Sequence, residues 1–188
     1  DKAKRGASWG YAGCALDVYG KGKRGETNEE CEALMTPLAS NREELQSRFA
    51  HALSVAAKEA GTSNAAAIGF CFGGLSVLDM ARKNMAVKGV VSFHGLFGAP
   101  NNTDDKISPK VLALHGWEDP MATPDDVMDF SHEMTEAKAD GQLHDYGSAM
   151  HAFTNPAANN PDFGTVDDAG ADRRSFAACK DFLIEVLG

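Results

Sequence analysis

Short apolar segments alternate with longer stretches of helical periodicity along the 188-residue chain. The apolar segments predict strands at residues 11–20, 65–70, 87–95 and 110–116, and a last strand with its loop at residues 142–153. Apolar residues at helical spacing predict helices from Ser40 to Gly61, from Cys71 past Ala81, from Thr123 to Gly141 and from Asp172 to Leu187. Residues 21–37 are polar and predict a long surface loop with one helical turn.

This alternation predicts an α/β fold in which βαβ units form a mostly parallel sheet with helices on both faces. The length favours a single domain over residues 1–188. Chemistry in such sheets lies at the carboxyl ends of the strands. We therefore look for functional residues in the loops that follow Asp17, Phe70, Phe93, His115 and Tyr146.

The composition and the net charge argue against several kinds of partner and several kinds of site. The net charge of −9 argues against nucleic acid or an anionic membrane as a partner. No segment approaches the roughly 18 to 20 apolar residues of a membrane-spanning helix. The four cysteines form no disulfide framework, so we predict reduced thiols in a cytoplasmic setting. The absence of a Cys-x-x-Cys pair argues against a zinc ribbon or a thioredoxin-like site.

The segment Gly69-Phe70-Cys71-Phe72-Gly73 places a cysteine where a strand should turn into a helix. Flanking glycines allow close approach of strand and helix, and a nucleophile at such a turn sits on strained backbone. The positive end of the following helix favours the thiolate form of Cys71. The alternative is a small structural thiol beside a glycine-rich strand end.

Two further segments carry candidate partners for this thiol. Asp119 follows a predicted strand in "LHGWEDP", with Glu118 as a competing carboxylate, and a turn-forming or capping role is its alternative. His151 lies in the loop "YGSAMHAFTNP" after the last predicted strand, where a structural or solvated histidine is the alternative. Each of the three residues thus follows a different strand, at the same end of the predicted sheet.

Together these residues indicate nucleophilic catalysis. Their order along the chain, nucleophile then acid then base, is that of the α/β-hydrolases. His151 would accept the thiol proton, Asp119 would orient the imidazole and stabilise the imidazolium, and Cys71 would attack a carbonyl carbon. The backbone N–H of Phe72 is the predicted oxyanion-hole donor.

The chain resembles the dienelactone hydrolase family from about Gly10 to its end. The resemblance rests on "ALDVYGKG", "IGFCFGG", "VVSFHG", "LHGWEDP" and "MHAFTNPAA". It implies an α/β-hydrolase fold with an eight-stranded sheet and a triad at Cys71, His151 and Asp119. It also implies a small-molecule ester or lactone substrate and no metal or organic cofactor.

Two departures from this family change the expectations. The family's usual N-terminal strands, with the second oxyanion donor and a glutamate that contacts the resting thiol, have no counterpart here. An N-terminally shortened sheet would expose an edge strand, which we expect to be covered by a second copy of the chain or by residues outside this sequence. The arginines that bind the substrate carboxylate in dienelactone hydrolases are also missing near His151, so dienelactone is not the expected substrate.

Residues near the carboxyl ends of the predicted strands are candidates for the substrate pocket. His94 and His115 end strands on the same rim, where a structural, hydrogen-bonded histidine is the commoner case. We take His94, with Phe72 and Trp117, as the candidate substrate-binding residues. Two other functions remain open, a catalytically silent binding or assembly module and a redox-sensing thiol at Cys71.

Overall fold

The computed structural model describes residues 2–188. The chain divides into two compact units, with the boundary between Ser63 and Asn64. The single domain over residues 1–188 that the length favoured stays a prediction. The helices are α1 Lys2–Ser8, α2 Asn28–Ser40, α3 Arg42–Ala60, α4 Phe72–Arg82, α5 Pro124–Glu136 and α6 Ala169–Leu187. The strands are β1 Ala66–Phe70, β2 Gly89–Phe93, β3 Lys110–Gly116, β4 Gly141–Tyr146, β5 Asn159–Asn160 and β6 Thr165–Val166.

The first unit contains only helices among its regular elements, so the strand predicted at residues 11–20 is wrong for the described part of the chain. The carboxylate of Asp17 accepts the backbone N–H groups of Gly20 at 2.9 Å and Gly22 at 2.8 Å. These bonds fold the end of the segment into a turn. The side chain of Asp17 thus competes with the pairing that a strand would need.

The loop predicted at residues 21–37 is also wrong, because most of it belongs to α2. Thr27 caps this helix by accepting the backbone N–H of Glu30 at 3.2 Å. Glu29 and Glu30 place negative charge in the first turn, where the helix dipole favours it. Capping and first-turn charges stabilise this helix, so its apolar pattern is too weak to predict a helix from the sequence.

The predicted start of helix α3 at Ser40 is wrong, because Ser40 is the last residue of α2 and α3 begins at Arg42. Asn41 is the N-cap, and its side chain accepts the backbone N–H of Glu44 at 3.1 Å. The predicted stop at Gly61 is confirmed. Gly61 adopts a left-handed conformation with φ of 68°, which glycine adopts without a steric penalty.

The second unit contains a four-stranded parallel sheet in the order β1-β2-β3-β4, and a two-stranded antiparallel ribbon of β5 and β6. The parallel α/β class is confirmed. The eight strands implied by the family resemblance are not found in the described residues, where the main sheet has four. Strands β2 and β3 are almost entirely buried, as expected for the interior strands of a parallel sheet.

Glycines on two sheet positions indicate that α4 and α6 cover opposite faces. A Cβ atom on Gly69 would clash with the backbone of Gly73 in α4, and one on Gly89 would lie 2.8 Å from Phe182 in α6. Gly89 pairs with Ala66, which is three residues from Gly69 along β1. Because successive residues of a strand point to opposite sides, Gly69 and Gly89 face opposite ways. The predicted coverage of both faces by helices is confirmed.

Helix α5 begins as predicted, with Thr123 and Asp126 forming a reciprocal capping box and Pro124 in the first turn. Its predicted end at Gly141 is wrong, because the helix ends at Glu136 and Gly141 opens β4. Lys138, two residues beyond the helix, takes a left-handed conformation with φ of 51°. Among residues 2–188, no helix has the length and apolarity that a membrane crossing would need.

Candidate active site

Cys71 occupies the sharp turn between β1 and α4. Its backbone has φ of 52° and ψ of −120°, an uncommon conformation for a residue with a side chain. The glycine at position 69 is required by space, because strand and helix backbones meet there. Cys71 is the N-cap residue of α4, so its thiol lies beside the positive end of the helix dipole. The local sequence therefore produces a strained, partly exposed thiol.

His94 follows β2, the neighbour of β1, and its ring lies against the thiol. The ring nitrogen Nδ1 is 3.4 Å from the Cys71 sulfur and accepts the Cys71 backbone N–H at 3.3 Å. The other nitrogen, Nε2, is 2.9 Å from the hydroxyl of Thr154. Since Nδ1 accepts a hydrogen bond, Nε2 carries the proton and donates to Thr154. His94 is 2% exposed, which leaves its ring little freedom to turn away.

Asp119 ends a tight turn after β3, in which its backbone N–H donates to the Gly116 carbonyl at 3.0 Å. Asp119 is 1% exposed, and its Oδ1 atom accepts the Met121 backbone N–H at 2.8 Å. The competing carboxylate, Glu118, points to solvent. Burial and hydrogen bonding thus distinguish the two neighbouring acids.

His151 lies in the loop after β4 and is held by the β5–β6 ribbon. Its backbone N–H donates to Gly164 at 2.9 Å, and its carbonyl accepts the Val166 N–H at 3.1 Å. Its ring Nδ1 donates to Oδ2 of Asp119 at 2.7 Å. Burial lowers the pKa of His151, but hydrogen bonds to Asp119 and Cys71 raise it to about 10. Both bonds thus favour the protonated form of the ring.

The thiol consequently lies between two histidines. The Cys71 sulfur and one nitrogen of each ring lie within 4.8 Å of one another. The two rings pack edge to face, with centroids 5.4 Å apart. This cluster has the donors that could hold a soft metal ion, and together with Asp119 it has the residue types that a catalytic triad requires.

The structure also places the other predicted site residues. Phe72 is the first residue of α4, where a backbone N–H has no acceptor within the helix. Trp117 directly follows β3 and is 39% exposed, so its indole lies at the carboxyl rim of the sheet. Their oxyanion-hole and substrate-binding roles stay predictions.

Sequence reasoning missed the contact between His94 and the thiol, together with the part played by Thr154. The available signal was positional, because His94 ends the strand next to the one that ends at Cys71. Three residues, Cys71, Asp119 and His151, were expected near one another from their strand ends alone. The hydrogen bond from His94 to a threonine 60 positions later carries no local pattern.

Comparison with known proteins agrees with this architecture. A model of the dienelactone hydrolase family matches residues 1–187. An uncharacterized protein of Caenorhabditis elegans is 38% identical over 127 residues, which cover 64% of this chain and 79% of that protein.

Two solved structures match the whole of this chain, and the match covers 80% of the length of each of them. One, named m3DLH, is 30% identical with a TM-score of 0.92. The other, a dienelactone hydrolase-like promiscuous phosphotriesterase from metagenomic libraries, is 30% identical with a TM-score of 0.91. The match of the family model over nearly the full length shows that this chain belongs to the dienelactone hydrolase family, with the α/β-hydrolase fold.

Proposed function

We propose that this protein hydrolyses a small ester, lactone or thioester through an acyl-cysteine intermediate on Cys71. The observation that carries the proposal is the 2.7 Å hydrogen bond between His151 and a buried Asp119, beside a thiol on a strained elbow. Membership of a hydrolase family supports the same reaction class.

The first half of the reaction forms the acyl enzyme. In the resting site His151 holds the proton of the Cys71 thiol, and the thiolate attacks the substrate carbonyl carbon. The carbonyl electron pair moves to oxygen, where N–H groups at the start of α4, including that of Phe72, stabilise the charge. The bond to the leaving oxygen then breaks as the His151 imidazolium donates its proton to that oxygen.

The second half releases the acid. Neutral His151 takes a proton from water, and the hydroxyl oxygen attacks the thioester carbon. The carbon–sulfur bond breaks, the carboxylic acid leaves, and the thiolate and imidazolium are restored. Asp119 holds the imidazole in the tautomer that both halves require. Every step uses groups of this chain, the substrate and water.

The test is sustained hydrolysis of p-nitrophenyl acetate, with product counted over many turnovers. We expect Cys71→Ala and His151→Ala to lose at least about 10³-fold in kcat/KM. The matched control is Cys31→Ser, which removes an exposed thiol and should leave the rate unchanged. A single burst of product, equal to the protein present, contradicts the proposal and favours a binding module. Reversible loss of the thiol with peroxide, without turnover, favours a redox sensor.

A second substrate class follows from one neighbour. The promiscuous phosphotriesterase shares 30% identity over the whole of this chain. We propose that the Cys71 thiolate also attacks phosphorus in an aryl phosphotriester and expels the aryloxide. Release of nitrophenolate from paraoxon, lost in Cys71→Ala, would support this. No release above the buffer rate would contradict it while leaving the ester proposal intact.

The cellular location and the oligomeric state of this protein are also proposals. Reaction through a thiolate requires the thiol to stay reduced, which suits a cytoplasmic location. Strand β1 is an edge of the four-stranded sheet, and its Ile68 is 37% exposed. We propose that a second copy of the chain covers this edge.

A further inference from the structure

The cluster around the thiol contains one more histidine than a triad needs. A triad uses one histidine as its base and one carboxylate to orient it. Here His151 and Asp119 supply both, and His94 is left over. Its Nδ1 nevertheless lies 3.4 Å from the sulfur, and its ring is buried in that position.

The three donors have the chemistry and spacing of a zinc site. A thiolate and two imidazoles are common zinc ligands, with bonds of roughly 2.3 Å to sulfur and 2.1 Å to nitrogen. At a tetrahedral angle those bonds separate sulfur and nitrogen by about 3.6 Å. The observed separation of Cys71 Sγ and His94 Nδ1 is 3.4 Å, and the nitrogen of His151 lies within 4.8 Å of both.

The second nitrogen of each ring is already fixed. His94 Nε2 lies 2.9 Å from the Thr154 hydroxyl, and His151 Nδ1 lies 2.7 Å from the Asp119 carboxylate. Metal-binding histidines are typically oriented in this way, with the non-ligating nitrogen donating to a carboxylate or another oxygen. The remaining nitrogens, Nδ1 of His94 and Nε2 of His151, are then the ones that face the sulfur. To bind a metal, Nδ1 of His94 would give up its bond from the Cys71 N–H, which also donates to the Phe93 carbonyl at 3.1 Å.

We propose that Cys71, His94 and His151 together bind a zinc ion, with water in the fourth position, and that this ion inhibits the hydrolase. Zinc binding forms bonds to the Cys71 sulfur and to Nε2 of His151, and the proton that this pair holds passes to solvent. The ion thereby occupies the lone pairs of the proposed nucleophile and the proposed base at once. Asp119 is kept out of the coordination sphere by its bond to His151.

The binding test uses the full chain with Cys14→Ser and Cys31→Ser, which removes the two exposed thiols. Zinc affinity is measured by competition with a chromogenic chelator, and cobalt is added separately to detect absorption from a metal–thiolate bond. We expect one ion per chain. Cys71→Ser and His94→Asn should each weaken zinc binding by at least about 100-fold, and Cys71→Ser should abolish the cobalt–thiolate absorption.

Asparagine is chosen for position 94 because His94 has φ of 38°, a left-handed conformation that asparagine tolerates. The matched control is His132→Asn, an exposed histidine of α5, which should keep the parent affinity. Thr154→Val removes the fixed orientation of His94 and should weaken binding by about 10-fold. A circular dichroism melt verifies that each variant is folded.

Inhibition is tested separately by adding zinc to the ester assay. We expect turnover to fall with the same half-saturating concentration as binding and to return with EDTA. Equal zinc affinity in the parent and in folded His94→Asn would overturn the site, and faster turnover with zinc would overturn the inhibitory role. The binding measurement needs no turnover, so failure of the proposed hydrolase activity leaves it decisive.

Discussion

At the scale of single residues, the two neighbouring acids after β3 provide a direct test of the proposed triad. Asp119 is buried and bonded to His151, whereas Glu118 is exposed. We expect Asp119→Asn to lower kcat by about 10³-fold or more, because the amide favours the wrong tautomer of the imidazole. Glu118→Gln is the matched control and should retain the parent rate. Equal losses in the two variants, measured with p-nitrophenyl acetate, would contradict the assignment of the acid.

His115 provides a second test, through the pH dependence of stability. Burial lowers the pKa of this ring, against the opposing attraction of Asp119 and Asp145. Below about pH 6.5 the unfolded chain therefore binds a proton that the folded chain refuses, so the free energy of unfolding falls as pH decreases. The contribution to the slope approaches about 1.4 kcal/mol per pH unit at most.

We expect His115→Leu to flatten this slope, measured by urea unfolding at several values between pH 5 and pH 7. The absolute stability of the variant differs for packing reasons, so the slope is the quantity compared. His132→Leu removes an exposed histidine and should keep the parent slope. Parallel curves for the parent and His115→Leu would show that His115 does not couple folding to proton binding.

At the scale of elements, the strand-to-helix elbow depends on glycine at one position and not at another. A methyl group on Gly69 would clash with the backbone of Gly73, whereas a methyl group on Gly73 would meet open space. We expect Gly69→Ala to reduce the free energy of unfolding by about 1–3 kcal/mol. Gly73→Ala should instead increase it by up to about 1 kcal/mol, because alanine is the better helix former. Urea unfolding of both variants distinguishes them, and similar losses in both would contradict the packing argument.

Helix α4 is fixed to its surroundings by a buried ionic network. Arg82 is fully buried, lies 3.3 Å from Asp79 and 2.7 Å from Glu133 of α5, and donates to the Phe97 carbonyl at 2.6 Å. Arg82→Met leaves the buried Asp79 carboxylate without this cation and should cost about 3–5 kcal/mol of stability. The neighbouring Lys83→Met breaks only a surface pair with Asp104 and should cost less than about 1 kcal/mol. Comparable losses in thermal or urea unfolding would exclude a special role for the buried network.

The individual strands and helices also show which elements the sequence could predict. Strands β1, β2 and β3 were predicted closely, because interior strands of a parallel sheet are short, continuous apolar runs bounded by glycine and loop residues. The segment at residues 11–20 has a similar apolar content but lacks a partner strand, and the Asp17 carboxylate fixes its end as a turn. Helix α2 was missed because its stabilising features are caps and charges, which a search for apolar periodicity does not weigh.

At the scale of the whole molecule, the order of residues along the chain predicted more than any single motif. Parallel strands bring their carboxyl ends to one edge, so strand order alone predicted that Cys71, Asp119 and His151 would meet. Strand order could not predict the rotamers that turn His94 toward the sulfur, since those depend on Thr154 and on packing against Phe153. It also could not predict the number of strands, because four strands satisfy the same local pattern as eight.

The last prediction concerns dimer formation through the β1 edge of the four-stranded sheet. Strand β1 has a strand neighbour, β2, on one side in the order of the sheet, and its Ile68 is 37% exposed. Edge strands of this kind pair with other chains unless charge or proline prevents it. We therefore expect a dimer of twice the 19.9 kDa chain mass in sedimentation velocity at micromolar concentration.

Ile68→Lys should shift this dimer to monomer, because a lysine on an edge strand must be desolvated when the edge is covered. The matched control is Ile184→Lys, which places the same charge at an exposed apolar position of α6. That variant should remain dimeric, since Ile184 lies on a helix and takes no part in the backbone pairing of β1. A monomer in the parent chain at all concentrations would contradict the prediction, and so would a dimer that survives Ile68→Lys but dissociates in Ile184→Lys, because the interface would then lie on α6.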